Sequence, residues 1–192
     1  IIQGNAELLA ETAPAPELDA ILRAGDRAQQ YLAALRSVGT VPAARQRTDS
    51  HAFVAALADT ANALCRPAKL HFVLQEQWQG QFLCAAPELS RALENMLDNA
   101  VRYTPAGGTV TLTISKADGD VAFTVTDTGP GFTPEALHKA GQFLYTDAAR
   151  PGNGHQGLGL YLARSVAQAY GGKLVLANTG IGAQAQLCLP MQ

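Results

Sequence analysis

The clearest pattern of apolar and polar positions in the chain lies in residues 87–105, PELSRALENMLDNAVRYTP. At 3.6 residues per turn this segment separates into two faces. The apolar face is formed by Leu89, Leu93, Met96, Leu97, Ala100 and Thr104, and the polar face by Arg91, Asn95, Asp98, Asn99 and Arg102. Because Asn is a poorer helix former than Lys or Glu, two Asn one turn apart are unusual for a purely solvent-facing stripe. The pattern predicts a helix with one core face and a second face that is either a binding surface or a tolerated polar stripe.

From residue 48 onward, helical and strand patterns are mixed. A helix is predicted over residues 50–65 with Ser50 as its N-cap. Strands are predicted where short segments alternate or are apolar throughout. These segments are 70–74, 81–85, 109–115, 121–127, 173–177 and 183–189.

The strand at residues 121–127 carries a carboxylate on its inward face. Strict alternation places Asp127 on the same side as Val121, Phe123 and Val125. A lone carboxylate is costly to desolvate there. Either the strand ends before Asp127, or groups with hydrogen-bond donors meet it.

Glycines follow at two places where a ligand could approach the backbone closely. Gly129 and Gly131 come directly after Asp127, and Gly157 and Gly159 begin an amphipathic helix. A glycine-rich helix start is typical of phosphate sites, because unpaired N–H groups and the helix dipole both favour an anion. Between these motifs, residues 133–156 have little apolar periodicity, which is typical of a functional lid. Each glycine motif is weak when taken alone.

The first 40 residues have the apolar spacing of a helical bundle. Two prolines separate a short helical stretch from a long predicted helix at 17–38. The apolar residues of the long helix follow heptad spacing and form a seam. The seam consists of Ile21, Ala24, Ala28, Tyr31, Leu35 and Val38, and the stripe is widened by Leu18, Leu22 and Leu32. We expect a hairpin at 1–40 that forms a four-helix bundle in a homodimer, although it could instead pack on its own domain. Residues 41–47 are predicted to be a linker, and 48–192 a separate domain.

Composition and charge exclude several classes of protein. The 192 residues are 47% apolar and 16% charged, which is typical of a globular chain. A net charge of −2 offers no broad attraction for nucleic acid, and no apolar run approaches the length of a membrane span. The three cysteines lack CxxC spacing, so we expect buried thiols in a reducing compartment. Because the first residue is Ile rather than Met, we expect a piece of a longer protein.

Three motifs in a fixed order resemble those of a known family. ENMLDNAVRYTP is similar to the N box, DTGPGF to the first glycine box and GHQGLGLYLAR to the second glycine box of bacterial sensor histidine kinases. The ending NTGIGAQAQLCLP is similar to the final glycine-rich hairpin of that family. The chain over residues 48–190 thus resembles their ATP-binding domain, within the GHKL superfamily. Residues 1–38 also resemble the later part of the family's dimerisation and phosphoacceptor domain.

The resemblance implies a fold and an activity. The fold class would be α/β, namely a two-layer α+β sandwich of the GHKL (Bergerat) type preceded by a helical hairpin. The activity would be that of a protein histidine kinase, which passes the γ-phosphate of ATP to a histidine and then to an aspartate of a response regulator. The implied partners are a second copy of the chain and a receiver domain. The implied location is the cytoplasmic part of an inner-membrane sensor, with membrane contact only through segments outside this chain.

The resemblance also assigns roles to particular residues. Asn99, assisted by Asn95, would hold Mg²⁺, and Arg102 would contact phosphate. Asp127 would accept a hydrogen bond from the adenine amino group, and Tyr103 would pack near the base. The remaining assigned residues would admit the base, belong to the lid or bind phosphate and metal: Gly129, Gly131, Phe143, Arg150, Gln156, Gly157, Leu158, Gly159 and Leu160.

Several positions depart from the family pattern. Ala140 stands where a second lid Phe is usual, His155 where a glycine is usual, and Ala185 where Phe is common. These changes predict a loosely packed lid and weaker nucleotide affinity.

The phosphoacceptor is missing from the N-terminal hairpin. The four histidines of the chain are His51, His71, His138 and His155. Either the acceptor precedes Ile1 in a longer protein, which we favour, or the protein phosphorylates another molecule. In both cases we expect this chain alone not to autophosphorylate.

One position separates a kinase from a hydrolase. Gyrase-like and chaperone-like GHKL members carry a Glu one turn before the metal-binding Asn, where it activates water. Here that position is Asn95, whose amide cannot accept the proton.

Two alternatives stay open: a GHKL serine kinase of the anti-sigma type, and a degenerate nucleotide-binding interaction module.

Overall fold

The computed structural model of the chain describes residues 44–117, 119–143, 145 and 157–191, together with residue 25. The chain divides into two compact units, Ile1–Thr40 and Val41–Gln192. The predicted helical hairpin lies outside the described residues apart from residue 25, so it stays a prediction.

The helices and strands that the sequence patterns predict are present in the predicted order, together with one strand and one helix that were not predicted. In chain order they are β1 (Gln46–Asp49), α1 (Ser50–Cys65), β2 (His71–Glu76), β3 (Gln81–Cys84), α2 (Ala86–Tyr103), β4 (Thr109–Ala117), β5 (Asp120–Asp127), α3 (Pro134–Lys139), α4 (Gly159–Ala169), β6 (Lys173–Asn178) and β7 (Ala183–Pro190). No helix among the described residues is long and apolar enough to cross a membrane.

Five of the strands form one mixed sheet in the order β2-β4-β5-β7-β6. Strands β2 and β4 are parallel, and the other neighbours are antiparallel. The inward positions of β4 and β5 are the predicted ones, since Val110, Leu112 and Phe123 are fully buried. They join one core with apolar residues of α1, α2 and α4. The predicted two-layer α+β architecture is therefore confirmed.

A short strand begins inside the segment that was predicted to be a linker. In β1, Gln46 pairs with Cys84 and Arg47 with Leu83 of β3, in a separate two-stranded antiparallel sheet. A four-residue strand has too few positions to show a period, so only its pairing partner reveals it. The ordered domain thus starts before residue 48.

The N-cap predicted for α1 is wrong by one residue. The cap is Asp49, whose Oδ1 accepts the N–H of Ala52 at 2.9 Å. Ser50 is fully buried, and its backbone N–H donates to the Gly80 carbonyl. Its Oγ accepts the Gly80 N–H at 2.9 Å. The serine hydroxyl therefore joins α1 to the turn before β3, a contact that spacing along the chain could not show.

Helix α2 matches the amphipathic pattern closely. The prediction of 87–105 compares with Ala86–Tyr103 in the structure. The predicted apolar face is buried throughout, and it comprises Leu89, Leu93, Met96, Leu97, Ala100 and Thr104. The predicted polar face is partly or fully exposed.

The region predicted as a lid contains a short helix, α3. Thr133 caps it, with Oγ1 accepting the Ala136 N–H at 3.1 Å, and Pro134 occupies the first turn. Six residues are too few to show a helical period, although a Thr-Pro start is a helix signal. The lid prediction therefore applies to the segment after α3.

Candidate functional site

Helices α2 and α4 lie side by side and run in opposite directions. At one end, the N–H of Ala85, just before α2, donates to the hydroxyl of Tyr170, just after α4. At the other end, a Cβ added to Gly159 would lie 3.6 Å from the Cβ of Asn95. The glycine-rich start of α4 is thereby placed directly beside the Asn face of α2.

The Asn face holds a buried amide that lacks a partner. The Nδ2 atom of Asn95 is shielded from solvent and has no hydrogen-bond partner among the described residues. A buried donor left unpaired costs about 1–3 kcal/mol, so such atoms usually mark a missing ligand or water. Asn99 lies one turn further along the same face, at about 5–6 Å between Cβ atoms. The Arg102 guanidinium is 3.3 Å from Oδ2 of Asp98 on the same helix.

The start of α4 presents backbone N–H groups that have no hydrogen-bond partner among the described residues. Leu158 is the N-cap residue, and no side chain caps the helix there. Leu158 is buried and Leu160 half-buried, so the first turn is anchored to the core while its N–H groups stay available. Gly157 has φ +69°, and a Cβ there would overlap the carbonyl of Tyr145. The dipole and the free N–H groups together favour an anion at this position.

Asp127 is buried at the end of β5, on the inward face that strand alternation predicts. Only 5% of its surface is exposed, and Oδ1 accepts the N–H groups of Gly129 at 2.8 Å and Ala183 at 3.2 Å. Burial raises the pKa of the carboxyl, and the two backbone N–H groups partly oppose that shift. Oδ2 has no hydrogen-bond partner among the described residues. The sequence predicted that hydrogen-bond donors would meet an inward Asp127. These donors are backbone N–H groups, and both bind Oδ1.

Glycines bring backbone close to Asp127 from two sides. A Cβ on Gly129 would lie 2.5 Å from the carbonyl oxygen of Tyr103, at the end of α2. A Cβ on Gly182 would overlap the backbone oxygen of Asp127. Gly131 has φ +74°, which L side chains rarely adopt. Gly182 and Ala183 were absent from the predicted site, and the glycine-rich ending of the chain was the signal that could have located them.

The described part of the lid is attached to α4. The ring of Phe143 is half-exposed and packs edge-on against Tyr161, with centroids 5.2 Å apart. Ala140 is buried, and its carbonyl accepts a hydrogen bond from Arg164 at 2.9 Å. Arg164 was absent from the predicted site because an Arg on a helix gives no sequence signal of its long-range partner. Three residues with predicted roles or departures lie outside the described residues, namely Arg150, His155 and Gln156, and their roles stay predictions.

Two of the three described histidines have hydrogen-bond partners outside α2 and α4. His51 Nδ1 is 2.9 Å from Oε2 of Glu76, and His138 Nδ1 is 2.7 Å from the Pro134 carbonyl. His71 lines a surface cleft at the end of α1. These positions give no support to an acceptor role for any of the three.

The chemistry of the donors limits how a metal could be held. Among the residues that the structure describes, no three His, Cys, Asp or Glu side chains form a group that could hold a metal ion. Asn95 and Asn99 offer neutral amide oxygens. Mg²⁺ commonly takes few protein oxygens and completes its shell with phosphate and water. The amide oxygens of Asn95 and Asn99 thus fit a magnesium ion that arrives together with a phosphate ligand, and the unpartnered Nδ2 of Asn95 would donate to an oxygen of that phosphate or of a bound water.

Comparison with known proteins agrees with this arrangement. The family described as histidine kinase-, DNA gyrase B-, and HSP90-like ATPase matches residues 84–192. The sensor histidine kinase SpaK of Bacillus subtilis is 33% identical over 204 residues, which cover 100% of this chain and 44% of SpaK. The sensor protein QseC of Escherichia coli K12 is 40% identical over 94 residues, which cover 49% of this chain and 20% of QseC. The chain thus spans less than half the length of the curated relatives that it matches.

Solved structures show the same fold. The crystal structure of full-length ShkA in complex with AMPPNP superposes with a TM-score of 0.80 at 25% identity. The match covers 99% of this chain and 42% of ShkA. Because the family match spans more than half of the chain and includes α2, Asp127 and the start of α4, the chain belongs to the family of histidine kinase-, DNA gyrase B- and HSP90-like ATPases, as its motifs predicted.

Proposed function

We propose that this chain contains the ATP-binding kinase domain of a two-component sensor histidine kinase. It would catalyse transfer of the γ-phosphate of ATP to a histidine outside this chain, and from there the phosphoryl group would pass to an aspartate of a response regulator. The observation that carries the proposal is the contact between Asn95 of α2 and Gly159 of α4. It joins a polar amide face to a helix start whose N–H groups are unpaired within the part of the chain that the structure describes.

The base would bind at the Asp127 end of the site. Oδ1 is occupied by two backbone N–H groups, which leaves Oδ2 as an acceptor for the amino group of adenine. Guanine places an oxygen at the corresponding position, and two acceptors would face each other there. A carboxylate acceptor with a fixed backbone frame therefore supports adenine over guanine.

The phosphates would bind at the opposite end, between α2 and α4. The N–H groups of Gly159 and Leu160 would donate to phosphate oxygens, with the dipole of α4 adding to the attraction. The Arg102 guanidinium lies on the same face, one turn beyond Asn99, and Asp98 orients it. Asn99 and Asn95 would hold Mg²⁺, which when bound supplies neutralisation of the phosphate charge. Gln156 and Arg150 are proposed to complete this end.

The residue types favour transfer to a protein nucleophile over hydrolysis. General-base activation of water needs a group that can accept a proton, and the Asn95 amide cannot. Asp98, one turn along, is paired with Arg102. A histidine nitrogen needs no such activation, because its neutral form carries a lone pair near pH 7. The contribution of the chain is then positioning and charge stabilisation for an in-line attack.

The assembly follows from the same proposal. The segment 1–40 would form a homodimer, a linker that ends before β1 would connect it to the kinase domain, and a receiver domain would be the second partner. The domain would face the cytoplasm in an inner-membrane sensor.

A binding experiment and a transfer experiment test this function. The 192-residue chain should bind a fluorescent ATP analogue more tightly with Mg²⁺ than without it. Asn99→Ala should remove most of that Mg²⁺ dependence, and Asn62→Ala, on the exposed face of α1, should not change it.

An upstream-extended protein should then incorporate an acid-labile label from γ-labelled ATP, as phosphohistidine does. An acid-stable label would instead indicate a serine kinase. No label despite tight binding would indicate a nucleotide-binding module without transfer activity.

A further inference from the structure

The side chain of Asn178 makes two hydrogen bonds with the backbone of one distant residue. At the end of β6, its Oδ1 accepts the N–H of Phe132 at 2.6 Å, and its Nδ2 donates to the carbonyl of Phe132 at 2.9 Å. The two residues are 46 positions apart. A neighbouring strand would bond a backbone residue in the same way, so the carboxamide acts as a one-residue strand partner.

This contact ties down the glycine segment, residues 128–132. At the near end, the N–H of Thr128 donates to the Thr109 carbonyl at 3.1 Å, and Gly129 bonds to Asp127. Asn178 holds the far end. A Cβ on Gly131 would lie 2.8 Å from Oδ1 of Asn178, so the glycine is needed for this approach as well as for its positive φ.

The same residue belongs to the hairpin on the other side of Asp127. Asn178 lies opposite Ala183 in the β6–β7 pairing, and the Ala183 N–H donates to Asp127 Oδ1. The turn between the two strands is closed by Thr179, whose N–H donates to the Gly182 carbonyl at 2.8 Å. The glycine segment and this turn are therefore two walls around one carboxylate, and Asn178 joins them directly.

We propose that Asn178 is a positioning residue that sets the spacing of these two walls and so selects adenine at Asp127. The inference rests on the proposed ATP binding. With both hydrogen bonds in place, the two walls are held at a fixed separation. This separation fixes the plane in which a base can reach Oδ2. Without Asn178, the far end of the glycine segment loses both of its side-chain hydrogen bonds to the hairpin, and the base can shift relative to the carboxylate. Affinity should then fall for ligands that contain adenine, and not for ligands that bind only through phosphate.

Substitution of Asn178 with separate probes for base and phosphate tests the proposal. In Asn178→Ala both bonds are lost, and we expect adenosine and ATP to bind about tenfold more weakly in the full chain. Inorganic tripolyphosphate should compete with the labelled ATP analogue as it does in the unsubstituted protein, and the preference for ATP over GTP should fall. In Asn178→Asp the acceptor for the Phe132 N–H is kept, but a carboxylate oxygen would face the Phe132 carbonyl, so adenosine affinity should fall at least as far as in Asn178→Ala.

A matched control and an independent readout separate positioning from stability. Gln186→Ala removes another long-range side-chain bond, from Nε2 to Thr124 Oγ1 at 3.1 Å, on the outer face of the same hairpin. It should leave adenosine affinity unchanged. Hydrogen exchange at the Phe132 amide should be faster in Asn178→Ala and unchanged in the control.

The outcomes distinguish this proposal from the one on which it rests. If the unsubstituted chain binds no ATP analogue, the proposed function fails and the role of Asn178 fails with it. If the chain binds ATP and Asn178→Ala keeps the same affinity and base preference, only the positioning role is overturned. Equal losses for adenosine and tripolyphosphate would also overturn it, because they would indicate a general loss of structure.

Discussion

Replacing Asp127 by Asn should affect nucleotide binding and stability in opposite directions. Asn keeps an oxygen that can accept the N–H groups of Gly129 and Ala183, so the local backbone frame should survive. On the other side, however, an NH₂ group would replace Oδ2. A hydrogen bond to a charged group contributes about 1.5–3 kcal/mol, and its loss corresponds to roughly 10- to 150-fold weaker binding. Titration of a fluorescent ATP analogue against the unsubstituted protein and Asp127→Asn measures this loss of affinity.

The stability change follows from the direction of the pKa shift. Burial raises the pKa of Asp127 above its usual value of 3.8, so the folded state binds the proton more tightly than the unfolded state. Ionised Asp127 therefore destabilises the fold, and stability falls as pH rises from about 3.8 through the raised pKa. Asn carries no charge, so Asp127→Asn should unfold at equal or higher urea concentration at pH 7 and lose this pH dependence.

The same substitution at the other end of β5 provides the control. Asp120→Asn should leave nucleotide affinity unchanged, because Asp120 lies at the opposite end of the strand. Binding by Asp127→Asn within about twofold of the unsubstituted protein would refute the assignment of Oδ2 to the base. A loss of binding that comes with a large loss of stability would refute the reasoning on burial.

Three further predictions concern the contacts around the site. Tyr170→Phe removes the buried hydroxyl that accepts the backbone N–H before α2, and urea unfolding should show a loss of about 1–3 kcal/mol. Gly182→Ala forces a Cβ into the backbone of β5 and should cost about 2 kcal/mol or more together with nucleotide binding, whereas Gly180→Ala, which has open space, should change neither. Glu76 raises the pKa of His51, so this pair stabilises the fold below about pH 6.5 and loses its effect as pH rises through the raised value. Glu76→Gln should lower the pKa of His51 in an NMR titration and flatten that part of the stability profile.

Long helices and strands were predictable from the sequence, and very short ones were not. Helix α2 and strands β4 and β5 have enough positions for their apolar faces to appear in the sequence, and those faces are buried as expected. Strand β1 and helix α3 have four and six residues, too few to repeat a pattern. Pairing with β3 is what makes β1 a strand, and that partner lies more than thirty residues away.

The residue types that give the site its chemical character can be recognised in short segments of the sequence. Two Asn one turn apart, an inward carboxylate and a glycine-rich helix start are properties of neighbouring residues, so they are visible in the sequence. Their roles, however, were implied only by the resemblance of the ordered motifs to a known family. Their mutual positions depend on packing, because the antiparallel arrangement of α2 and α4 is what sets Asn95 beside Gly159. The second partner of Asp127, Ala183, and the side-chain partner of Phe132 likewise come from a hairpin 46 to 56 residues further on. No local pattern encodes such contacts, since they form only when the sheet register brings distant backbone groups together.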